Sequence, residues 1–296
     1  MATHMAKTQA SKNARRARRT KSLVSRILAH VALTISSLLI AFPFFWMITR
    51  ALMSAEELNA YRFRLIPQVM QWSNFREFWE AEPLFGRYFV NSAIMAAGVT
   101  VLQLVVACLA AYAFTSIKFP GRGILFFVVI STLMIPVVVT YVPSYIILAR
   151  LKWLDTFKGL IIPSAVSAFG IFLFRQGFSS IPRELFDAAK IDGAGHLRML
   201  SQVVLPLSKP ILVTFIIFDV VGYYNSYFWP LLITSSPNMR VLTIGLTIFF
   251  IEKGYYGIRW HLIMAANAAA ILPLILLFVI AQRWFVEGVA TTGLKG

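Results

Sequence analysis

IPRELFDAAKIDGAGHLRMLSQVVLPLSKP, residues Ile181 to Pro210, is a polar stretch set between two long apolar runs. Its reading decides the fold. Pro182 suits the first turn of a helix, where a missing N–H goes unnoticed. Glu184 and Asp187 then place negative charge near the positive end of that helix. Leu185, Ala188 and Ala189 form an apolar stripe at helical spacing. Asp192-Gly193 ends the helix, and a second short helix follows up to Pro206. The expected product is a helix–turn–helix knob with a small apolar face rimmed by charge, suited to docking in a partner's groove. The plainer reading is a solvated loop joining two spans.

On either side the chain is built for lipid. Hydrophobic residues make up 58% and charged residues 14%, against roughly 25% charged in an ordinary soluble domain. Mean hydropathy is +0.73. A soluble core of this length cannot internalise so much apolar surface. A spanning helix needs about 20 apolar residues, and six apolar runs are candidates: 27–48, 88–116, 123–147, 159–179, 210–233 and 262–282, the fourth the weakest because its charge-free part stops at Phe174 before Arg175. The run Val241 to Ile251 is too short and reads as re-entrant or interfacial. The seven tryptophans fall at span ends or in loops, as interfacial anchors do. Pro43, Pro136, Pro143, Pro163 and Pro273 lie inside spans and favour kinks or ordinary curvature. Ala265, Ala266, Ala268, Ala269 and Ala270 suit close helix contact.

The formal charge of +16 is uneven: residues 1–26 carry eight Lys/Arg and no acid. Directly before an apolar span, this run reads as a topogenic or lipid-contacting tail rather than a nucleic-acid arm. Met1 to Met5 resemble a cloning scar and are set aside. The first apolar run is long enough to span and lacks a small-residue cleavage site, so a cleaved signal peptide is not expected. With the N-terminus inside, inner segments collect 17 of the 28 Lys/Arg, and the tail decides that balance. Both termini are then cytoplasmic. The expected organisation is a basic tail at 1–26, a six-helix membrane domain at 27–285 with its cytoplasmic loop at 180–209, and a C-terminal tail at 286–296. The single cysteine, Cys108, stands in an apolar run and allows no internal disulfide.

The 181–210 stretch resembles the signature loop of ABC importer permeases: Glu-Ala-Ala, three residues, Gly, nine residues, Ile, one residue, Leu-Pro. Asp187-Ala188-Ala189, Gly193, Val203 and Leu205-Pro206 stand at those offsets. Asp replaces Glu and Val replaces Ile. Tyr224 to Leu231 resembles a Trp-Asn-x-Phe-x-Trp-Pro segment in sugar permeases of the maltose-transporter type, with Tyr224 where Trp is usual. The ending, Phe285 to Gly288 and Gly293 to Gly296, resembles that family's tail. The resemblance implies an all-α, six-span type I ABC importer permease with a cytoplasmic coupling helix. It further implies a homologous second permease, two copies of an ABC ATPase, and an extracytoplasmic sugar-binding protein in a bacterial inner membrane. On that resemblance Glu184, Asp187, Ala188, Ala189, Asp192, Gly193, Leu205 and Pro206 make the ATPase contact. Gly193 supplies the turn, and the two alanines a close apolar approach.

The chain has no Gly-x-x-x-x-Gly-Lys-Ser/Thr phosphate loop, so ATP and Mg would belong to the partner ATPase. Its four histidines are scattered and no metal-ligand spacing occurs. Asp219 is the one acid inside an expected span, and such a carboxylate normally faces the bundle interior. Asp219, Tyr223 and Ser226 or Tyr227 share a helical face. Two readings stay open: a substrate pathway of Asp219, Tyr223, Asn225 and Tyr227, with rings against sugar faces, or a polar pair that fixes packing. The outer segments 49–87 and 234–260 are either binding-protein contacts or connecting loops. The expected function is inward transport of a sugar or oligosaccharide driven by ATP on a partner. The alternatives are a non-sugar importer such as one for glycerol phosphate, a proton-coupled secondary transporter, and a structural membrane subunit.

Overall fold

The computed structural model describes the backbone of residues 2–60, 64–255 and 259–293, and the side chains of residues 25–60, 64–252 and 259–282. The basic side chains before Ser25 and those of the expected tail at 286–296 lie outside the described ones. Fifteen α-helices follow one another: α1 (Ala2–Ala51), α2 (Ala55–Asn59), α3 (Ser73–Ala81), α4 (Phe85–Ser116), α5 (Arg122–Ser131), α6 (Val137–Arg150), α7 (Phe157–Ile161), α8 (Ala168–Ser179), α9 (Arg183–Ile191), α10 (His196–Met199), α11 (Leu205–Leu207), α12 (Lys209–Tyr224), α13 (Phe228–Ile233), α14 (Leu242–Tyr255) and α15 (Trp260–Gly293). No strand occurs among the described residues.

Among the described residues, three helices are long and apolar enough to cross a membrane unbroken: Ser25–Ala51, Phe85–Ser116 and Trp260–Gln282. Three more crossings would come from bent pairs. Arg122–Met134 meets Val137–Arg150 at 97°, Phe157–Ser164 meets Ala168–Ser179 at 46°, and His196–Leu207 meets Lys209–Tyr224 at 81°. The first bend sits where Ile135 and Pro136 are both extended, at ψ 118° and 126°. Proline forbids the helical N–H and pushes its predecessor out of the α region. By contrast Pro43 and Pro273 lie inside continuous helices.

The expectation of one continuous helix over 210–233 is corrected. α12 stops at Tyr224, and α13 starts only at Phe228. Asn225 turns its Nδ2 onto the Val221 carbonyl, 2.9 Å away, and Pro230 brings no N–H to a continuing ladder. At 16 residues, α12 is about 24 Å long.

α4 is the axis of the molecule. Its first half packs Phe85, Tyr88 and Ala96 with Phe78, Phe249 and the Leu262–Ala270 face of α15. Ala265 and Ala266 are fully buried there, the close approach expected of small residues. Met95 and Val99 face Leu148, Leu160, Trp229 and Ile233. The second half, from Ala107 to Phe114, meets Ile171, Phe174, Phe178, Met199, Val204 and Phe215. Cys108 is buried in that group. A Cβ on Gly170 would stand 2.9 Å from the Phe215 ring and 3.2 Å from the Ala107 Cβ, so this glycine sets how closely α8 lies against α4 and α12.

The short elements at the end opposite α9 are held by polar clasps. Asn74 donates to the carbonyls of Ala51 and Met53, both at 2.8 Å. Asn91 donates to those of Asn238 and Arg240, also at 2.8 Å. The Ser92 hydroxyl accepts the Leu242 N–H at 2.8 Å and so caps α14 from α4. The Asp155 carboxylate accepts the N–H groups of Ser235 and Ser236 at 2.9 and 3.1 Å.

Candidate functional site

The 181–210 stretch folds as a protruding knob. Pro182 stands one place earlier than expected, as the extended residue that precedes α9. Glu184 occupies the first turn. At the other end Asp192 caps the helix and Gly193 takes φ +76°. The Gly193 N–H bonds to Lys190 and the Ala194 N–H to Ala189, at 3.0 and 2.9 Å, a paired closure that satisfies the last carbonyls. A Cβ on Gly193 would meet nothing within 4 Å; the constraint is its left-handed backbone, which costs other residues roughly 1–2 kcal/mol. From His196 the chain runs through α10, a π-helical turn (Leu200–Val204) and α11.

The outer face of the knob is apolar at its centre. Leu185 is 42% exposed and Ile191 86%, and Ala188 is exposed between them. Glu184, Asp187 and Asp192 surround them in the open. Asp187 pairs with Lys190 at 3.3 Å, both side chains exposed, which contributes little to stability. Ala189 is half-buried and packs with Phe186 against the cluster at the end of α4, so only part of it faces outward beside Ala188. Leu205 also packs inward, whereas Pro206 is exposed. Ile191 and Leu197, both largely exposed, were not singled out in the sequence, although Ile191 falls three residues past Ala188 on the same stripe. The knob is anchored through Met199, Leu200 and Val204 in the core, and through the Tyr112 hydroxyl 3.0 Å from His196 Nδ1.

The second group of expected residues divides. Asp219 and Tyr223 lie one turn apart on α12 and turn toward α4. Gln103 donates from Nε2 to the Tyr223 hydroxyl at 2.8 Å and to the Ser164 carbonyl at 2.6 Å. It thereby links α4, α12 and the 3-10 turn after α7. Asp219 stands beside Thr100, and the Asp219 Oδ2, Thr100 Oγ1 and Gln103 Oε1 atoms are buried without a hydrogen-bond partner among the described residues. Thr100 and Gln103 were missed, although a glutamine in the middle of an apolar run is a visible signal. Asn225 and Tyr227 do not join the cluster. Asn225 is exposed and bonded to its own helix, and Tyr227 stacks edge-on with Phe228 at 5.4 Å.

The model of the binding-protein-dependent transport system inner membrane component matches residues 103–291, a range that takes in Gln103, the knob, Asp219 and Tyr223. The chain belongs to that family. Among this family's curated members, the sn-glycerol-3-phosphate transport system permease protein UgpE of Pectobacterium atrosepticum is 37% identical over 268 residues, covering 88% of this chain and 95% of that one. The protein of the same name from Brucella suis is 34% identical, covering 91% and 97%. A crystal structure of a bacterial ABC transporter for the acidic polysaccharide alginate superposes with a TM-score of 0.79 at 24% identity, over 88% of this chain and 96% of that chain. The fold is therefore that of an ABC importer permease, all-α and membrane-embedded, as the knob motif led one to expect.

Family membership makes the end opposite the knob of interest as well. A cleft of ≈ 790 Å³ opens there between α2, α3 and the start of α15, lined by Glu56, Asn59, Gln71, Glu77, Arg259 and His261 among others. Arg259 pairs with Glu77 at 2.9 Å, and Glu57 closes a capping box with Ser54 at the start of α2. Within segment 49–87 the described residues thus include two short helices, α2 and α3.

Proposed function

We propose that the chain is a transmembrane subunit of an ATP-driven importer for a sugar or oligosaccharide. It would pair with a homologous permease and two ATPase copies, and receive cargo from an extracytoplasmic binding protein. The observation that carries this reading is the knob: an exposed Leu185–Ala188–Ile191 face rimmed by acids, on a helix closed by Gly193 and rooted in the core. That surface is what an ATPase cleft would grip. The knob and both termini then lie on the cytoplasmic side. ATP closes the ATPase dimer, the knob moves with it, and Met199, Leu200 and Val204 pass the displacement to α4, α8 and α12. Such transmission needs two arrangements of the bundle whose balance nucleotide shifts.

The sugar reading draws on the resemblance of Tyr224 to Leu231 to the segment of sugar permeases. The second reading, glycerol 3-phosphate as cargo, is supported by the names of the relatives at 34–37% identity. An oligosaccharide and glycerol 3-phosphate titrated against the co-purified binding protein separate the two.

The decisive experiment is co-purification from membranes. An ATPase subunit should accompany the wild-type chain and be lost with Ala188→Arg, which adds bulk and charge to the exposed face without touching the core. Retention of the ATPase by that variant sinks the reading. Uptake that collapses with an uncoupler at constant ATP would instead favour a proton-driven carrier.

A further inference from the structure

The cleft at the end opposite the knob is held open by hydrogen bonds in its own walls. Asn74, which lines it, is buried and spends its amide N–H groups on the Ala51 and Met53 carbonyls. The Gln71 N–H holds the Leu52 carbonyl at 2.9 Å. The Ser54–Glu57 capping box sets α2, and Glu57 also accepts the Gln68 N–H at 2.9 Å. The Glu77–Arg259 pair ties α3 to the residue before α15. The space so enclosed, ≈ 790 Å³, falls within the roughly 300–1,000 Å³ of ligand clefts.

The polar groups left over are unengaged. The side chains of Glu56, Asn59 and Gln71 line the cleft and form no hydrogen bond or ion pair among the described residues. His261 is 6% exposed, and its Nδ1 is sealed in the wall without a partner. Nε2, equally unbonded among the described residues, is the nitrogen left to face the cleft. This lining narrows the occupant. Arg259 is already neutralised by Glu77, so no spare cation holds an anion. No group of three metal-ligating side chains occurs among the described residues. Of the described lining residues only Ala55 is apolar, which offers nothing to a lipid tail. Carboxamides donate and accept, a carboxylate accepts, and a neutral imidazole nitrogen does one or the other. A hydroxyl does both, so a neutral ligand dense in hydroxyls matches every group.

We propose that this cleft is a saccharide subsite on the outer face, where Glu56, Asn59, Gln71 and His261 take the hydroxyls of a neutral sugar before it enters the bundle. Cargo released by a binding protein meets this chain there first. The inference rests on the reading above, in which the knob faces the cytoplasm and the cargo is a sugar.

The test uses the whole permease–ATPase complex in nanodiscs, without its binding protein. Saturation-transfer NMR with maltotriose and with cellotriose should show contact between at least one of them and the wild-type complex. Glu56→Ala and Asn59→Leu, at exposed positions outside the core, should each weaken that binding at least tenfold. Absence of contact with either sugar in wild type overturns the subsite. So does equal binding by wild type and both variants, which puts the sugar elsewhere. Glycerol 3-phosphate bound in place of the sugars overturns the neutral class. If no sugar binds and Asn59→Leu stops capture of the binding protein, the cleft is a docking surface and the subsite falls. Co-purification of the ATPase with the wild-type chain is measured first. Its failure removes the functional reading and the subsite together, whereas an intact complex without sugar contact removes the subsite alone.

Discussion

The Tyr112 hydroxyl lies 3.0 Å from Nδ1 of His196, joining α4 to the root of the knob across 84 positions of sequence. The two rings meet edge-on at 5.9 Å, and the hydroxyl is also 3.4 Å from Met199 Sδ. Among the described residues this hydroxyl is a polar tie in a largely apolar joint, and it sits where movement of the knob would enter the bundle. Tyr112→Phe keeps the ring and removes the oxygen. A hydrogen bond of this kind is worth about 1 kcal/mol, so cargo-stimulated ATPase activity of the reconstituted complex should fall about fivefold while the subunits still co-purify. Unchanged stimulation would mean the tie carries no motion.

Gly193 separates backbone from bulk. Space is open around its Cα, yet φ is +76°. Gly193→Val should abolish transport-linked ATPase activity, because a β-branched residue resists the left-handed region. Gly193→Asn, which tolerates that region, should keep much of it. Equal loss in both variants would point to a direct need for a hydrogen at this position.

Gln103 is expected to act as a clamp. Gln103→Leu leaves the half-buried Tyr223 hydroxyl and Ser164 carbonyl without their shared donor, a loss of roughly 1–3 kcal/mol. The detergent-solubilised complex should melt several degrees lower. Asp219→Asn keeps shape and polarity beside Thr100. ATP-driven uptake should survive it, and abolished uptake with an intact complex would reinstate a proton or pathway role for that carboxyl.

The Asp155 tether predicts behaviour in acid. Partial burial pushes this carboxyl up, but the hydrogen bonds from Ser236 and Ser235 outweigh it and hold it below the ordinary carboxylate value. A depressed group contributes stability above its unfolded value of about 3.9 and loses it as pH falls through the folded one. Wild type should therefore lose this contribution only in strongly acidic solution. Asp155→Ala should melt lower near neutrality and converge with wild type in acid. A constant gap at all pH would contradict the assignment.

How much could be read beforehand depends on what a helical wheel can say. The membrane-embedded all-α class followed from apolar run lengths, and the turn at Gly193 from the residue itself. Spacing also placed Asp219 and Tyr223 on one face. It could not say that the face turns toward Gln103 and Thr100, because a wheel fixes angles within a helix and not between helices. The same gap left open how far Ala189, on one stripe with Leu185, turns inward beside Phe186. Prolines were the least legible. Pro136 accompanies a 97° bend and Pro273 no break at all. Nothing in the residue distinguishes the two cases; whether neighbours hold the helix together decides it.

The serine clasp on α14 bears on how the protein is made. Leu242 finds the acceptor for its N–H on a residue 150 positions earlier, and Asn91 grips the loop just ahead of it. The ribosome must therefore deliver the segment from Leu242 onward, about the last fifth of the sequence, to a dock made long before. Until Ser92 is seated in the bilayer, the segment beginning at Leu242 has no defined start, so biogenesis proceeds from the first half of the molecule to the second.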